Sequence, residues 1–301
     1  MPAIPSASPT ATSVSPRAAH TANARRMRPR SYFTATAPLL EADPTLLAVS
    51  AFNDNGKAAY HGDPSALHRS DFFPGLGWLL TRKLWAELSA KWPEEHGFWD
   101  DWLREPAQRK RRSTIRPEVS RSYTFGSKGT SVGQFYRKHL EEIHLNVSCP
   151  RPQPSPPPIR PCAPPCLTLS LTLCPQRDVV DWSTRDLRYL LLDEYEKRFS
   201  RWIAEATSVR SVDAARHAAT ASGTGDLRVY YNGKIELVRM CKDLGLMEDL
   251  KAGVPRTAYH GVVIVRMNGR RVFLAPSYPV DQDITDTSGR SASWAALARG
   301  T

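Results

Sequence analysis

The 301 residues carry 41 Lys and Arg against 30 Asp and Glu, a net charge of +11, and 41% of them are hydrophobic. That is enough apolar sequence for a real core in one or two domains. The basic runs, Arg25-Arg26-Met27-Arg28-Pro29-Arg30 and Arg109-Lys110-Arg111-Arg112, are not interleaved with stacking aromatics and sit in no nucleic-acid motif, so both read as solvated charge. No stretch approaches the roughly 20 apolar residues that a membrane span needs.

Met1 to Arg30 is rich in Ala, Ser, Pro, Thr and Arg and contains no acidic residue. It has the composition of an organelle transit peptide, but reads more simply as a disordered head. Leu46 to Phe52 is an apolar run with the look of a buried strand, closed by the turn signal Asn55-Gly56. Asp71 to Trp78 is a turn-rich connection with Pro74-Gly75 at its bend. Thr81 is placed to cap a short helix through about Trp92 that buries Leu84, Trp85 and Leu88, with Pro93 as a stop.

Two segments carry chemistry. Phe98-Trp99-Asp100-Asp101-Trp102 sets two adjacent carboxylates in an aromatic frame. Burial between indole rings disfavours the charged form, and a carboxyl group tuned upward in this way suits general-base work. Phe125-Gly126-Ser127-Lys128-Gly129-Thr130-Ser131-Val132-Gly133-Gln134 is a glycine-spaced loop that runs from a strand-like Tyr123-Thr124-Phe125 into an expected helix. Ser131 and Gln134 have capping-box spacing, and Val132, Phe135, Tyr136, Leu140 and Ile143 recur at helical spacing. A helix N-terminus fed by such a loop suits an anionic ligand such as a diphosphate, with Lys128 adding charge. Taken alone, each signal is weak, because glycine turns are often only turns and acidic pairs often only solvated.

Ser148 to Gln176 changes character. Its prolines can neither pair into a sheet nor continue a helix. Four of the five cysteines, Cys149, Cys162, Cys166 and Cys174, fall there, without a histidine and without zinc-module composition, so they read as incidental. Beyond this stretch, Leu187, Leu190, Leu191, Tyr195, Phe199, Trp202 and Ile203 mark an amphipathic helix. Val209 to Gly225 is small and polar and reads as a loop. Leu227 to Tyr231 reads as a strand, and Ile235 to Leu244 as a helix ended by Gly245. His260 to Met267 and Arg270 to Ala275 flank Asn268-Gly269, a two-residue hairpin turn.

The two chemical segments occur in one order with Asn53-Asp54-Asn55-Gly56, Asp71-Phe72-Phe73-Pro74-Gly75-Leu76-Gly77-Trp78 and Arg116-Pro117-Glu118-Val119-Ser120-Arg121. That combination closely resembles the alpha-1,3-mannosyl-glycoprotein 2-beta-N-acetylglucosaminyltransferases, the N-acetylglucosaminyltransferase I family (glycosyltransferase family 13). The resemblance runs from about Ser31 to Asn146 and resumes from about Val179 to Pro276. It implies an α/β fold: a partial glycosyltransferase-A (nucleotide-diphospho-sugar transferase) fold without its N-terminal donor-binding half, plus a smaller C-terminal α+β region. The organisation it suggests is a disordered head over 1–30, the acceptor-side part of the catalytic domain over 31–147, a Pro/Cys-rich disordered insert over 148–177 that reads as translated intron or else an exposed linker loop, a C-terminal α+β part over 178–280, and a flexible tail over 281–301.

The resemblance also implies a reaction: inverting, manganese-dependent transfer of N-acetylglucosamine from UDP-N-acetylglucosamine to the 2-hydroxyl of the alpha-1,3-linked mannose of an oligomannose N-glycan. By position in the motif Asp100 is the catalytic base, Trp99 shapes the acceptor pocket and Asp101 supports the loop. Lys128, Gly129, Thr130 and Ser131 form the donor-binding loop. The acidic triplet that holds Mn2+ in relatives has no counterpart here, where Arg26-Met27-Arg28-Pro29 stands in its place, and neither Asp54 nor Asp71 matches it. The implied partners are the UDP-N-acetylglucosamine donor and an oligomannose glycoprotein acceptor, with no nucleic acid. The implied location is the Golgi membrane, with a lumenal catalytic domain, through a signal-anchor that does not stand in this chain. As written, the chain is expected to transfer weakly or not at all; the alternative is a non-catalytic glycan-binding or scaffolding remnant of the same fold. Relatives often carry cysteines where this chain has Ala48 and Thr114, so no disulfide is implied there.

Overall fold

The computed structural model describes residues 29–93, 98–124, 133, 135–146, 180–221 and 223–278. In chain order the helices and strands are α1 (Pro29–Ala42), β1 (Leu46–Ser50), β2 (Leu67–Ser70), β3 (Trp78–Leu79), α2 (Arg82–Ser89), α3 (Trp99–Arg104), α4 (Pro106–Arg109), β4 (Ser113–Pro117), α5 (Leu192–Glu205), β5 (Thr207–Val209), α6 (Val212–Thr220), β6 (Leu227–Tyr231), α7 (Lys234–Asp243), β7 (Leu250–Lys251), β8 (Val254–Pro255), β9 (Val263–Met267) and β10 (Arg270–Pro276). The fold is mixed α/β. One four-stranded sheet has the order β2-β4-β1-β3, a second has the order β5-β6-β10-β9, and β7 and β8 form a ribbon.

In the first sheet β1 and β4 run parallel, while β2 and β3 are antiparallel to their neighbours. β1 and β4 are buried throughout, as the continuous apolar run at Leu46 requires of a strand covered on both faces. Ala48 and Thr114 are direct partners across this pair. In the second sheet β6 and β10 run parallel, and β9 and β10 form the hairpin expected from Asn268-Gly269. Both turn residues have positive φ, 49° and 80°, as a type I′ connection demands.

Three apolar clusters hold these layers. The first joins both sheets: Tyr32 and Leu40 of α1, Val49 and Ile115 of the first sheet, Tyr195, Phe199 and Ile203 of α5, and Phe273 of the second. The second fills the space between β6, β9 and β10 and the helices α6 and α7. The third packs Leu47, Ala48, Phe73, Leu84, Leu88 and Leu103 beneath Trp78, Trp99 and Trp102. It is the floor on which the α3 motif sits.

Several expectations are corrected by this packing. The α2 helix is capped by Thr81 as read, its hydroxyl accepting from the Leu84 amide at 3.1 Å, and Leu84 and Leu88 are buried. Trp85 is not buried; it is 36% exposed and packs its ring 5.2 Å from that of Trp92. The amphipathic helix begins only at Leu192, because Leu191 is extended (ψ 148°) and Leu187 and Leu190 belong to the preceding segment and its 3-10 turn. The stretch read as a loop over Val209 to Gly225 contains α6. Its Ser211 cap accepts from Ala214 N at 3.1 Å, and the small residues Val212, Ala215 and Ala219 recur at helical spacing as its buried stripe. Among the described residues, the helix expected after the glycine loop is a single π-type turn, Tyr136–Leu140. Both His139 N and Leu140 N reach back to Phe135 O, which widens the turn. Ile143 and Leu145 then leave helical geometry to bridge Lys57 and Ser120. Among the described residues no helix is long and apolar enough to cross a membrane.

Candidate active site

The α3 motif is a six-residue helix laid across the third apolar cluster. Its aromatic side chains share one assembly. The Trp99 ring lies 5.6 Å from Trp78, 6.0 Å from Trp92 and 6.2 Å from Phe73, and Trp102 lies 5.4 Å from Trp92. Such contacts fix large side chains with little residual freedom. Phe98, just ahead of the helix, is left 62% exposed, and Leu76 and Trp85 also present apolar surface to solvent.

The two carboxylates do not sit inside this frame as read from the sequence. They lie at its edge and converge on one guanidinium. Arg104 Nη1 donates to Asp100 Oδ2 at 2.7 Å and to Asp101 Oδ1 at 2.6 Å, while its Nε donates to Phe73 O at 3.0 Å. Arg104 itself is 5% exposed, and its charge lies 4.6 Å from the centre of the Phe72 ring. Helical spacing explains the convergence, since Arg104 is four residues from Asp100 and three from Asp101.

Lys251, from the β7–β8 ribbon, donates to the other oxygen of Asp101 at 3.0 Å. Partial burial pushes the Asp101 carboxyl up, but the hydrogen bonds from Lys251 and Arg104 outweigh it and hold the group below its ordinary range. The expectation that indole burial raises this carboxyl is therefore overturned: its neighbours are cations, not only rings. Asp101 is a strut between two parts of the fold. Asp100 keeps one oxygen outside these contacts and is 33% exposed at its side chain.

The Asp71 to Trp78 connection lies directly against this pair. A Cβ placed on Gly75 would meet Asp100 Cβ at 3.4 Å, Arg104 Nη2 at 3.7 Å and a Trp99 ring atom at 3.7 Å. Gly77 has φ +65°, in the left-handed region that favours glycine, and Ala51 N donates to its carbonyl at 2.6 Å. Gly75 thus lets the connection approach the acidic helix without a side chain in between, while Gly77 packs against Ser122 and Ala51.

The other acidic candidates are engaged elsewhere. Asp54 pairs with Arg256 at 2.6 Å, and Asp71 accepts from His260 N at 2.7 Å and Ser113 Oγ at 3.2 Å. Among the described residues no three His, Cys, Asp or Glu side chains stand together so as to hold a metal ion. The residues described here therefore do not fit a manganese site. Lys128, Gly129, Thr130 and Ser131 lie outside the described residues, as do Phe125 and Gln134. Tyr123, at the mouth of that loop, bonds through its hydroxyl to Tyr136 Oη at 2.9 Å.

The sequence singles out Asp100, Asp101 and Trp99, which the structure sets side by side on α3, but not Arg104 or Lys251. The spacing signal for Arg104 was present in the helix; nothing in the sequence joins Lys251 to Asp101, because 150 residues separate them.

The arrangement is a mixed α/β scaffold that presents a partly exposed carboxylate beside a set of packed indoles. The GNT-I family matches this chain over residues 29–149 and 173–286, and the chain belongs to that family. It is also 42% identical over 245 residues to the alpha-1,3-mannosyl-glycoprotein 2-beta-N-acetylglucosaminyltransferase of Arabidopsis thaliana, an alignment covering 81% of this chain and 47% of that protein. The chain thus spans about half the length of this relative.

Proposed function

We propose that this chain carries the acceptor-side part of an inverting N-acetylglucosaminyltransferase, on a partial glycosyltransferase-A fold. The donor is UDP-N-acetylglucosamine, the acceptor is the 2-hydroxyl of the alpha-1,3-linked mannose of an oligomannose N-glycan, and the setting is the Golgi lumen. The observation that supports this reading is the position of Asp100, oriented by Arg104 at 2.7 Å and set against Gly75 and Trp99.

Asp100 acts as the base. Inversion by one displacement requires a single group to take the proton of the acceptor hydroxyl as its oxygen bonds to the anomeric carbon and UDP departs. Arg104 holds one carboxylate oxygen and leaves the other for the hydroxyl. Trp99, with Trp78 beside it, forms a face on which a sugar ring can pack. Asp101, tied to Arg104 and Lys251, keeps the helix in register with the β7–β8 ribbon. The loop containing Lys128, Gly129, Thr130 and Ser131 covers the donor diphosphate in this reading. The manganese implied by the resemblance has no ligand set among the described residues, and no step above is routed through it.

Transfer and binding measured side by side test the reading. The chain is incubated with labelled UDP-N-acetylglucosamine and an oligomannose glycan, and glycan binding is followed by calorimetry for the chain and for Trp99→Ala. Label transfer that Asp100→Asn removes supports the transferase. Glycan binding that Trp99→Ala weakens, without transfer, supports a glycan-binding remnant of the same fold. Failure of both would sink the acceptor-site assignment.

A further inference from the structure

A second cleft lies away from the Asp100 cluster and shares no residue with it. It encloses about 230 Å³ between the segment leading into β2, the 185–189 segment, α5 and the β9–β10 hairpin. Ligand clefts for drug-sized molecules run from about 300 Å³ upward, so this one suits a single small ion or a monosaccharide-sized group.

Its lining is cationic. Arg185, Arg198, Arg266 and Arg271 all face it, against the carboxylates Asp63 and Asp186. Those two acids are already engaged: Asp186 is held by Arg188 at 2.9 Å, and Asp63 Oδ1 accepts from Ser65 N and Oγ at 2.8 and 2.7 Å. Arg266 and Arg271 are anchored from behind. Arg266 Nε donates to Glu118 at 2.6 Å, and Arg271 Nε donates to Asp226 at 3.0 Å while its guanidinium lies 4.1 Å from the Trp202 ring centre. In each, one terminal nitrogen makes no hydrogen bond among the described residues. Arg198 rests over Tyr189 at 4.6 Å, and among the described residues neither its guanidinium nor that of Arg185 is paired with a carboxylate. Planar guanidinium groups fixed by stacking and by tethers behind them are preorganised for oxyanions such as phosphate.

The floor adds a second requirement. His68 lines the cleft, is 2% exposed, and its Nδ1 has no partner among the described residues. Its Nε2 lies 3.4 Å from Glu118 Oε2, and Glu118 also accepts from Arg266, Gly62 N and Asp63 N. An acceptor set of that kind fixes the proton on Nε2. Burial pushes the His68 imidazole down, which favours the neutral ring. Nδ1 is then a buried acceptor that asks for an O–H donor.

We propose that this cleft is a binding site for a phosphate group that carries, or is linked to, a hydroxyl: hydrogen phosphate or the phosphate ester of a hexose. The arginines meet the oxyanion, and His68 Nδ1 accepts from the hydroxyl. Sulfate offers the charge without the O–H, and a neutral hexose the O–H without the charge.

The 301-residue chain is titrated with glucose 6-phosphate, inorganic phosphate, sulfate and glucose at neutral pH, by calorimetry and by tryptophan fluorescence, to which Trp202 at the cleft responds. Saturable binding of one of the phosphates, at least tenfold tighter than sulfate or glucose and weakening with added salt, is expected. A preference for glucose 6-phosphate assigns the site to an ester, and equal affinity assigns it to the free ion. Arg185→Ser with Arg198→Gln, both at exposed positions, should weaken binding about tenfold with the far-ultraviolet dichroism unchanged. No saturable phosphate binding, equal binding of sulfate, or a double variant that binds like the parent would overturn the proposal.

Discussion

At the scale of single residues, Asp100 is set apart from Asp101 by what its second oxygen touches. Both carboxylates share Arg104, but only Asp101 is also fastened to Lys251. A group fastened on both oxygens makes a strut, and one fastened on a single oxygen remains able to take a proton. Asp100→Asn keeps an oxygen for Arg104 and removes the base, so whatever transfer the parent chain supports should fall by about 10²-fold or more, to the detection limit, while the urea midpoint stays close to that of the parent. A fall in stability matching the loss of transfer would make Asp100 structural. The histidine pair away from the site gives a pH signature. His61 and His144 stack at 4.6 Å with a 2.7 Å contact between ring nitrogens. Burial, then the neighbouring imidazole, lowers the His61 pKa from 6.5 to about 4. The unfolded chain therefore binds more protons than the folded one in this window, and stability falls as pH drops from about 6.5 to about 4. In urea melts across that range, His61→Asn should flatten the decline.

At the scale of elements, the sequence was most legible where one local signal decides the outcome. Thr81, Asn268-Gly269 and the Leu227 strand were read to within a residue or two, because a cap, a turn that needs positive φ and a run of β-formers are each self-sufficient. It was least legible where neighbours decide. The π-type turn at Tyr136–Leu140 replaces an expected helix because Ile143 and Leu145 are drawn into bridges with Lys57 and Ser120, partners far away in sequence. Trp85 sits on the apolar spacing of α2 yet stays exposed, because its partner is Trp92 at the helix exit and not the core. α6 is hard to read because its buried stripe is alanine and valine, too small to register as an apolar face. The Asp100 and Trp99 positions came from literal motif strings; their electrostatic setting, with Arg104 and Lys251, did not. Where a local signal decides, its removal should also be local. Thr81→Ala should cost about 1 kcal/mol by loss of the Leu84 N bond, measured by chemical denaturation. A change below about 0.3 kcal/mol would mean that packing of Leu84 and Leu88 alone sets the start of α2.

At the scale of the whole molecule, the first apolar cluster and a set of buried ion pairs join the stretch before residue 147 to the stretch after 180. Arg69 donates to Asp43 at 2.8 Å and to Leu190 O at 3.0 Å, and Asp43 in turn accepts from Leu192 N at 2.8 Å. Arg256 reaches Asp54 at 2.6 Å and Asp249 at 2.7 Å, with its guanidinium 4.9 Å from the centre of the Phe72 ring, which Arg104 also approaches at 4.6 Å. Phe72 therefore lies between the cation that orients Asp100 and the cation that ties in the C-terminal part. This geometry makes the candidate site dependent on docking of the two stretches, and Lys251 on Asp101 strengthens the link. Removing one partner of a buried pair leaves the other charge uncompensated, at a cost of about 3–5 kcal/mol. Arg256→Ala should therefore lower the unfolding free energy by about that amount, and the chain should still unfold in one transition, followed alike by tryptophan fluorescence and by far-ultraviolet dichroism. Two transitions in the parent chain, or a cost for Arg256→Ala below about 1 kcal/mol, the range of surface pairs, would show that the stretches are stable separately and that Arg256 does not couple them.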